Sequence, residues 1–350
     1  MFTLSLTPPE ERLSEIDPSG RPTGVSAFTS VKDIPIAGAF PYTLNEKNLL
    51  ALDMPEYKIG DGEYETPDEI LKVDRKIRDF YGMEYRGGEK LQPWYKKNFE
   101  LKKYGKITLR YTFNVDFVPD SLYLIMEQAG EFDKFLNGNR IENTDSGERW
   151  TDICYHVIPL DAEMIRKGTN ELLLQVSEFH DNINLEAVYL YGNFAVDLKG
   201  TRQTIIPLPD KLKLADIVGQ GLPFYGAGIT YTIDNVPEIA ESQCLFVELD
   251  DMEAAYLAVS NGESTKTIAF KPFRCDITDL VKKGNADPLY FEVVFNRRNV
   301  FGPLHMLPKK PLAMGPFDFV TEGERFVRDG YSLVNQGEIK GLRFVIQQAL

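Results

Sequence analysis

Several scarcities narrow this chain of 350 residues. It has only three cysteines, Cys154, Cys244 and Cys275. Their spacing matches no zinc pattern, and three are too few for a disulfide framework, so buried free thiols are expected. None of the three histidines, His156, His180 and His305, has metal-ligand spacing to another. No run of about 18 apolar residues exists, which excludes a transmembrane helix. Residues 1–9 carry neither a basic segment nor a long apolar one, so no signal peptide is read there. No P-loop, dinucleotide fingerprint or Gly-x-Ser-x-Gly elbow occurs. Positive charge is short as well: 39 Lys and Arg stand against 53 Asp and Glu, a net charge of −14. Nucleic acid and membrane surfaces, which call for basic patches, are therefore not expected as partners. A neutral polar ligand or another protein stays open.

Aromatic residues are plentiful, with 22 Phe, 17 Tyr and 2 Trp, and they favour β architecture, where flat rings fit pleated surfaces. The apolar fraction of 43% and charged fraction of 26% are those of a folded globular chain. The length is enough for two or three domains. Alternation of Phe2, Leu4 and Leu6 reads as a strand, and prolines and glycines then punctuate the chain to residue 35. Residues 48–59 read as a strand closed by a turn at Gly60-Asp61-Gly62. A helix is expected near 67–81. Thr66 and Glu69 form a capping box, Pro67 takes the first helical position, and Gly82 stops the helix. Its apolar stripe is Ile70, Leu71, Val73, Ile77, Phe80 and Tyr81, which predicts a packing role.

The most informative feature is an internal repeat. Leu91-Gln92-Pro93-Trp94-Tyr95 returns as Leu222-Pro223-Phe224-Tyr225, and Tyr111-Thr112-Phe113 as Tyr231-Thr232-Ile233. Asn137-Gly138 returns as Asn261-Gly262, Asp152-Ile153 as Asp276-Ile277, and Lys167-Gly168-Thr169-Asn170 as Lys283-Gly284-Asn285. The offsets run from 116 (Gly168 to Gly284) to 130 (Pro93 to Pro223), so five landmarks keep their order at nearly constant spacing. Asn-Gly between apolar strands predicts a two-residue hairpin turn, because both positions tolerate positive φ. Asp-Ile, a short helical turn and Gly-x-Asn predict a capped turn leading into a long strand. Two copies of a β unit of roughly 110 residues follow, each a sandwich or barrel. Trp94 and Phe224 hold equivalent places and are expected to anchor the sheets.

This pattern resembles the sugar-binding, galactose-binding-like jelly-roll domain of glycoside hydrolase family 2. The tandem arrangement resembles the C-terminal portion of large α-L-rhamnosidase-like enzymes. Residues Leu185 to Phe194 are similar to the stretch closing the first jelly roll there, and Gln220 to Tyr225 to the start of the second. Asn299 to His305 and Asp329 to Leu333 are similar to its end. The resemblance spans roughly residues 40–345. It implies a mainly β fold: a linker or remnant of a preceding domain over 1–38, one jelly-roll sandwich over 39–200 and a second over 201–350. It implies a non-catalytic accessory region that binds carbohydrate, such as plant or microbial polysaccharide fragments, or buttresses a catalytic hydrolase domain. It favours a periplasmic or extracellular parent enzyme. A (β/α)₈ barrel needs about 250 residues, and the chain before residue 90 is too short for one. A stand-alone carbohydrate-binding or protein-interaction module is the alternative.

Candidate site residues lie in the loops after the long strand of each copy. The first loop offers His180, Asp181, Asn182 and Asn184; the second offers Arg297, Arg298 and Asn299, followed by His305. Planar polar groups of this kind read sugar hydroxyls, and Trp150, Phe179 and Phe301 are available to stack on a ring. The same loops also suit hydrogen bonding between the two units. No catalytic residue and no cofactor is expected. The acidic stretch Asn143, Asp145, Gly147 and Glu148 has oxygen ligands for a structural Ca²⁺ but lacks a calcium-loop pattern, so a solvated loop is favoured.

Overall fold

The structure, a computed structural model, describes residues 28–84, 101–142, 147–281, 288–309, 319 and 323–349. The expected strand at Phe2–Leu6, Trp94, Asn143, Asp145 and the second Lys-Gly-x-Asn turn fall outside these residues.

The chain is mainly β, and its strands form two β-sandwiches. In the first, one sheet runs in the order 155–160, 122–127, 188–192, 48–52. The facing sheet runs 195–199, 202–206, 107–115, 168–176, 133–136, 139–141, with 56–59 also paired to 107–115. Its pairs are antiparallel except 202–206 with 107–115. In the second sandwich the sheets run 28–35, 343–349, 243–248, 274–276 and 265–268, 256–260, 289–294, 228–233, 42–44. Residues 28–44 thus pair with strands of the C-terminal half, and residue 200 lies in the tight turn joining 195–199 to 202–206.

The repeat is visible in the topology. Strands 107–115, 122–127, 133–136, 155–160 and 168–176 recur in order as 228–233, 243–248, 256–260, 274–276 and 289–294. The first Asn-Gly is the expected tight turn, with φ of 52° at Asn137 and 83° at Gly138. The second is wider: the Asn261 carboxamide accepts from the amides of Glu263 and Ser264. The Asp152–Asp276 landmark is out of register. Asp276 precedes the 3₁₀ turn Thr278–Leu280, whereas Asp152 precedes a strand. The matching 3₁₀ turn, Ala162–Met164, follows Asp161, at an offset of 276 − 161 = 115. The Gly-x-Asn motif has a mechanical reason. Buried Asn170 donates to the Arg166 and Gly168 carbonyls and accepts from the Arg166 amide and the Asn137 side chain, tying turn to hairpin.

Helix α1 (Ile70–Tyr81) starts three residues later than expected, with Glu69 rather than Thr66 as its cap. The cause lies in the preceding chain. The amides of Glu65, Asp68 and Ile70 are held by the Tyr57, Pro55 and Asp53 carbonyls, so residues 65–69 stay extended. Gly82 ends the helix in the left-handed region as expected. Ile70, Val73 and Ile77 face the core, but Phe80 faces solvent. Arg78 is buried instead, donating to Asp74 and the Ile183 carbonyl.

The first sheet of the first sandwich is covered on both faces, which positions the site. Leu50, Leu52, Leu124, Met126, Val188 and Leu190 point into the first core. Their alternates Leu49, Ala51, Ile125 and Tyr189 point to a second cluster with Trp150, Phe224, Val300, Leu304 and Leu333. Four of these partners come from the C-terminal half, three of them from the long connection between strands 289–294 and 343–349. That connection lies against the first sandwich and carries, among the described residues, one helical turn, α2 (Arg298–Phe301). Among the described residues no helix is long and apolar enough to cross a membrane.

Candidate functional site

Where the connection meets the first sandwich it leaves a cavity of about 470 Å³. Its walls are the end of strand 48–52, the start of α1, the turn 151–155, residues 186–189 and the segment 300–305.

Strand 48–52 is wholly buried, and Asp53 follows it at 3% exposure. Such a carboxylate needs partners, and it has two from far along the chain. His305 Nε2 lies 3.0 Å from Oδ2, and the Tyr331 hydroxyl donates to Oδ1 at 2.7 Å. Gln203 donates to the Tyr331 oxygen and to the Ala51 carbonyl, both at 2.6 Å. His305 Nδ1 lies 2.8 Å from the Val327 carbonyl, which can only accept, so both ring nitrogens face acceptors. Burial opposes the imidazolium, but the Asp53 carboxylate, the Val327 carbonyl and nearby Glu69 outweigh it and raise the pKa to about 9.

Glu69 caps α1 through the Lys72 amide at 3.1 Å. Burial raises its pKa, opposed by the Leu71 amide and assisted by Asp53, and the carboxyl reaches about 7. Across the cavity lie Glu127, Asp152 and Glu186. The Cys154 amide, then its thiol, hold Asp152 below the usual carboxylate range. Burial, the bond to Asp152 and the Glu127 charge push the Cys154 thiol up to about 12. Burial and then Glu127 and Glu186 raise the Tyr155 phenol. The Tyr155 and Phe301 rings stack 5.8 Å apart at 16°, and both line the cavity.

Of the residues singled out in the sequence, His305 and Phe301 line this cavity. Trp150 stands beside it, 5% exposed, among Tyr155, Tyr189, Tyr191 and Phe301. Its indole donates to Glu46, which also accepts from Arg297 at 2.6 Å, and the Arg297 guanidinium lies 5.2 Å over the indole. Arg298 is half-buried and donates to the Lys309 and Ser332 carbonyls. Asn299 is buried, its carboxamide used by both backbone groups of Val334. His180, Asp181, Asn182 and Asn184 form a separate group off the cavity wall. His180 pairs with Glu131 at 3.2 Å, and the Gln128 side chain bonds the Asn182 carbonyl and Asn184 amide. Phe179 is wholly buried, so it offers no face to a ligand. Among the described residues no cluster of three or more His, Cys, Asp or Glu side chains is arranged to hold a metal.

The acidic lining is not singled out by the sequence. Asp53 and Glu69 carry one signal, a charge at the end of an all-apolar strand and a charge at a helix start. Glu127 and Glu186 carry none, because each ends or precedes a strand like many other acids of the chain.

No family model matches the chain and no curated protein matches it. Among solved structures, a rhamnosidase from Novosphingobium sp. PP1Y aligns over 70% of this chain and 22% of its own, at 16% identity and a TM-score of 0.26. An exo-chitosanase of Amycolatopsis orientalis aligns over 71% of this chain and 29% of its own, at 12% identity and a TM-score of 0.27. The chain thus spans less than a third of either protein. TM-scores of this size assign it neither a fold nor an activity.

Proposed function

We propose that the chain is a non-catalytic accessory region of a glycoside hydrolase, and that the cavity between its first sandwich and the long connection binds carbohydrate. One observation carries this reading. A cavity of about 470 Å³ sits between the first β-sandwich and the long connection packed on it, and both aromatic rings and carboxyl groups line it. Pyranose rings present apolar C–H faces to aromatic rings and hydroxyls to carboxylates, so both wall types have a use. The motif resemblance in the sequence supports the same class. Buttressing of a catalytic domain is the form this function takes if the cavity binds no sugar.

A second reading has one observation in its favour. Glu69 holds its proton up to about pH 7 beside a cavity that also contains Glu127, Asp152 and Glu186. Glycoside hydrolysis uses such a pairing of a neutral acid with an ionised carboxylate.

Calorimetric titration of the chain with di- and trisaccharides, run beside turnover of aryl glycosides, separates the readings. Binding without turnover is the expected result. Turnover abolished by Glu69→Gln establishes the hydrolase instead. Neither binding nor turnover sinks the carbohydrate site and leaves the buttress.

A further inference from the structure

Resting on the carbohydrate reading, we infer that the Tyr111 hydroxyl is a specificity-determining donor of the site, and that it bonds one free hydroxyl of the saccharide, received in a small annex of the cavity. The first support is an unmatched group in the first core. Strand 107–115 turns Ile107, Leu109, Tyr111, Phe113 and Val115 inward, and Tyr111 is 1% exposed. Its hydroxyl has no hydrogen-bond partner among the described residues. Burying a hydroxyl without a bond is costly, and a phenylalanine, like Phe113 two residues on, packs without that cost. The repeat supplies the comparison. Tyr231, the counterpart of Tyr111 in the second sandwich, is also wholly buried, but its hydroxyl donates to the Lys213 carbonyl at 3.4 Å. The fold thus satisfies this tyrosine in one copy and leaves it open in the other, the copy that carries the cavity.

The second support is where the open hydroxyl lies. Tyr111 lines an annex of about 10 Å³ that shares Glu127, Glu186 and Ala187 with the main cavity. Burial and then Asp53, Glu69 and Glu186 raise the Tyr111 phenol, and all three of those residues line the main cavity, which sets the phenol oxygen toward that side. A space of the annex's size takes about one water-sized group. A sugar hydroxyl is such a group, and it accepts one hydrogen bond while donating another. Tyr111 supplies the donor. Glu127 supplies the acceptor, because among the described residues its carboxylate accepts from the Cys154 thiol at 3.5 Å, a weak donor. Asn184, one of the residues singled out in the sequence, lines the annex as well. A methyl ether or acetyl ester is too large for this space, so the annex selects a free hydroxyl, and a site built to bond a hydroxyl rejects ligands that lack it.

The test is calorimetry on the full chain with the linear trimers of glucose, mannose and galactose, comparing the native protein with Tyr111→Phe and Tyr231→Phe. Tyr111→Phe keeps the ring and the annex and loses only the donor. Each trimer that the native protein binds should bind Tyr111→Phe about tenfold more weakly, equivalent to about 1.4 kcal/mol, while the unfolding midpoint of the ligand-free variant holds or rises. Tyr231→Phe should leave these affinities unchanged, because Tyr231 lines neither the cavity nor the annex. Unchanged affinity in Tyr111→Phe overturns the hydroxyl inference, leaving the annex to an internal water only and the carbohydrate site standing. A lowered midpoint in Tyr111→Phe, or an equal loss of affinity in Tyr231→Phe, overturns it as well, by showing a structural role. Binding of no trimer by the native protein overturns both readings.

Discussion

Replacing Asp53 by asparagine should destabilise the protein at acid pH and scarcely affect it at alkaline pH. The side chain keeps its shape but loses the charge facing His305 at 3.0 Å, where both residues are 4% exposed or less. In the native protein the His305 pKa rises from 6.5 to about 9, a shift worth about 3 kcal/mol of folding stability. The folded value is the raised one, so this contribution is complete below pH 6.5 and fades as pH climbs through about 9. In Asp53→Asn a protonated His305 would lie buried without its hydrogen-bonded counter-ion, leaving only the weaker attraction of Glu69, so most of the contribution is lost. Above pH 9 the situation differs. Neutral His305 keeps its Nδ1 proton for Val327, and its bare Nε2 accepts from the carboxamide nitrogen introduced by the substitution, while the carboxamide oxygen still receives the Tyr331 hydroxyl. The penalty should therefore be about 3 kcal/mol at pH 6 and within about 1 kcal/mol at pH 9.5. Urea unfolding of both proteins at the two pH values measures it. An equal penalty at both values, or none at pH 6, refutes the charged pair.

Tyr111→Phe removes a buried hydroxyl that has no partner among the described residues, so ligand-free stability should hold or rise by up to about 1 kcal/mol; a clear drop in melting temperature would reveal a bond the hydroxyl does make. Trp150→Ala strips the ring from four aromatic neighbours and from Glu46, and should cost about 3–5 kcal/mol in denaturant unfolding. A stable variant would show that the ring is not part of the packing between the sandwiches. Asp181→Ala combined with Asn182→Ala should leave saccharide affinity unchanged, since neither side chain lines the cavity. Lost affinity in that double variant would move the site to the 180–184 loop.

The repeat is legible in the sequence because turns have local chemistry: Asn137-Gly138 and Asn170 advertise their geometry within a few residues. Its one misplaced landmark, Asp152, shows the limit of that method. An Asp-Ile pair occurs before a strand in one copy and before a 3₁₀ turn in the other, and short motifs do not say which. The capping box places the start of α1 too early because it ignores amides already engaged by residues 53–57. Residues 48–59 read as one strand, but the chain forms two, 48–52 and 56–59, in different sheets, and nothing local says that the two faces of the first meet different cores. The cavity is least legible. His305 and Tyr331 reach Asp53 across separations of 252 and 278 residues, and only the folded chain brings such positions together.

The pairing of strand 28–35 with strand 343–349 has a consequence for the ribosome. Phe28 meets Ala349 and Pro35 meets Arg343, so the partner of the first described strand begins 343 − 35 = 308 residues later. At about 5–20 residues per second, the nascent strand waits roughly 15–60 s for it. The first sandwich, whose strands lie between 48 and 206, can close during that interval. The early strand meanwhile presents an unpaired edge to every neighbouring chain. Lys32 and Asp33 interrupt it with charge, a usual guard against edge-to-edge association. Replacing both with valine would keep the backbone pairing of the finished sheet, at the loss of the Asp33–Arg343 ion pair, and expose the growing chain to aggregation before that sheet exists.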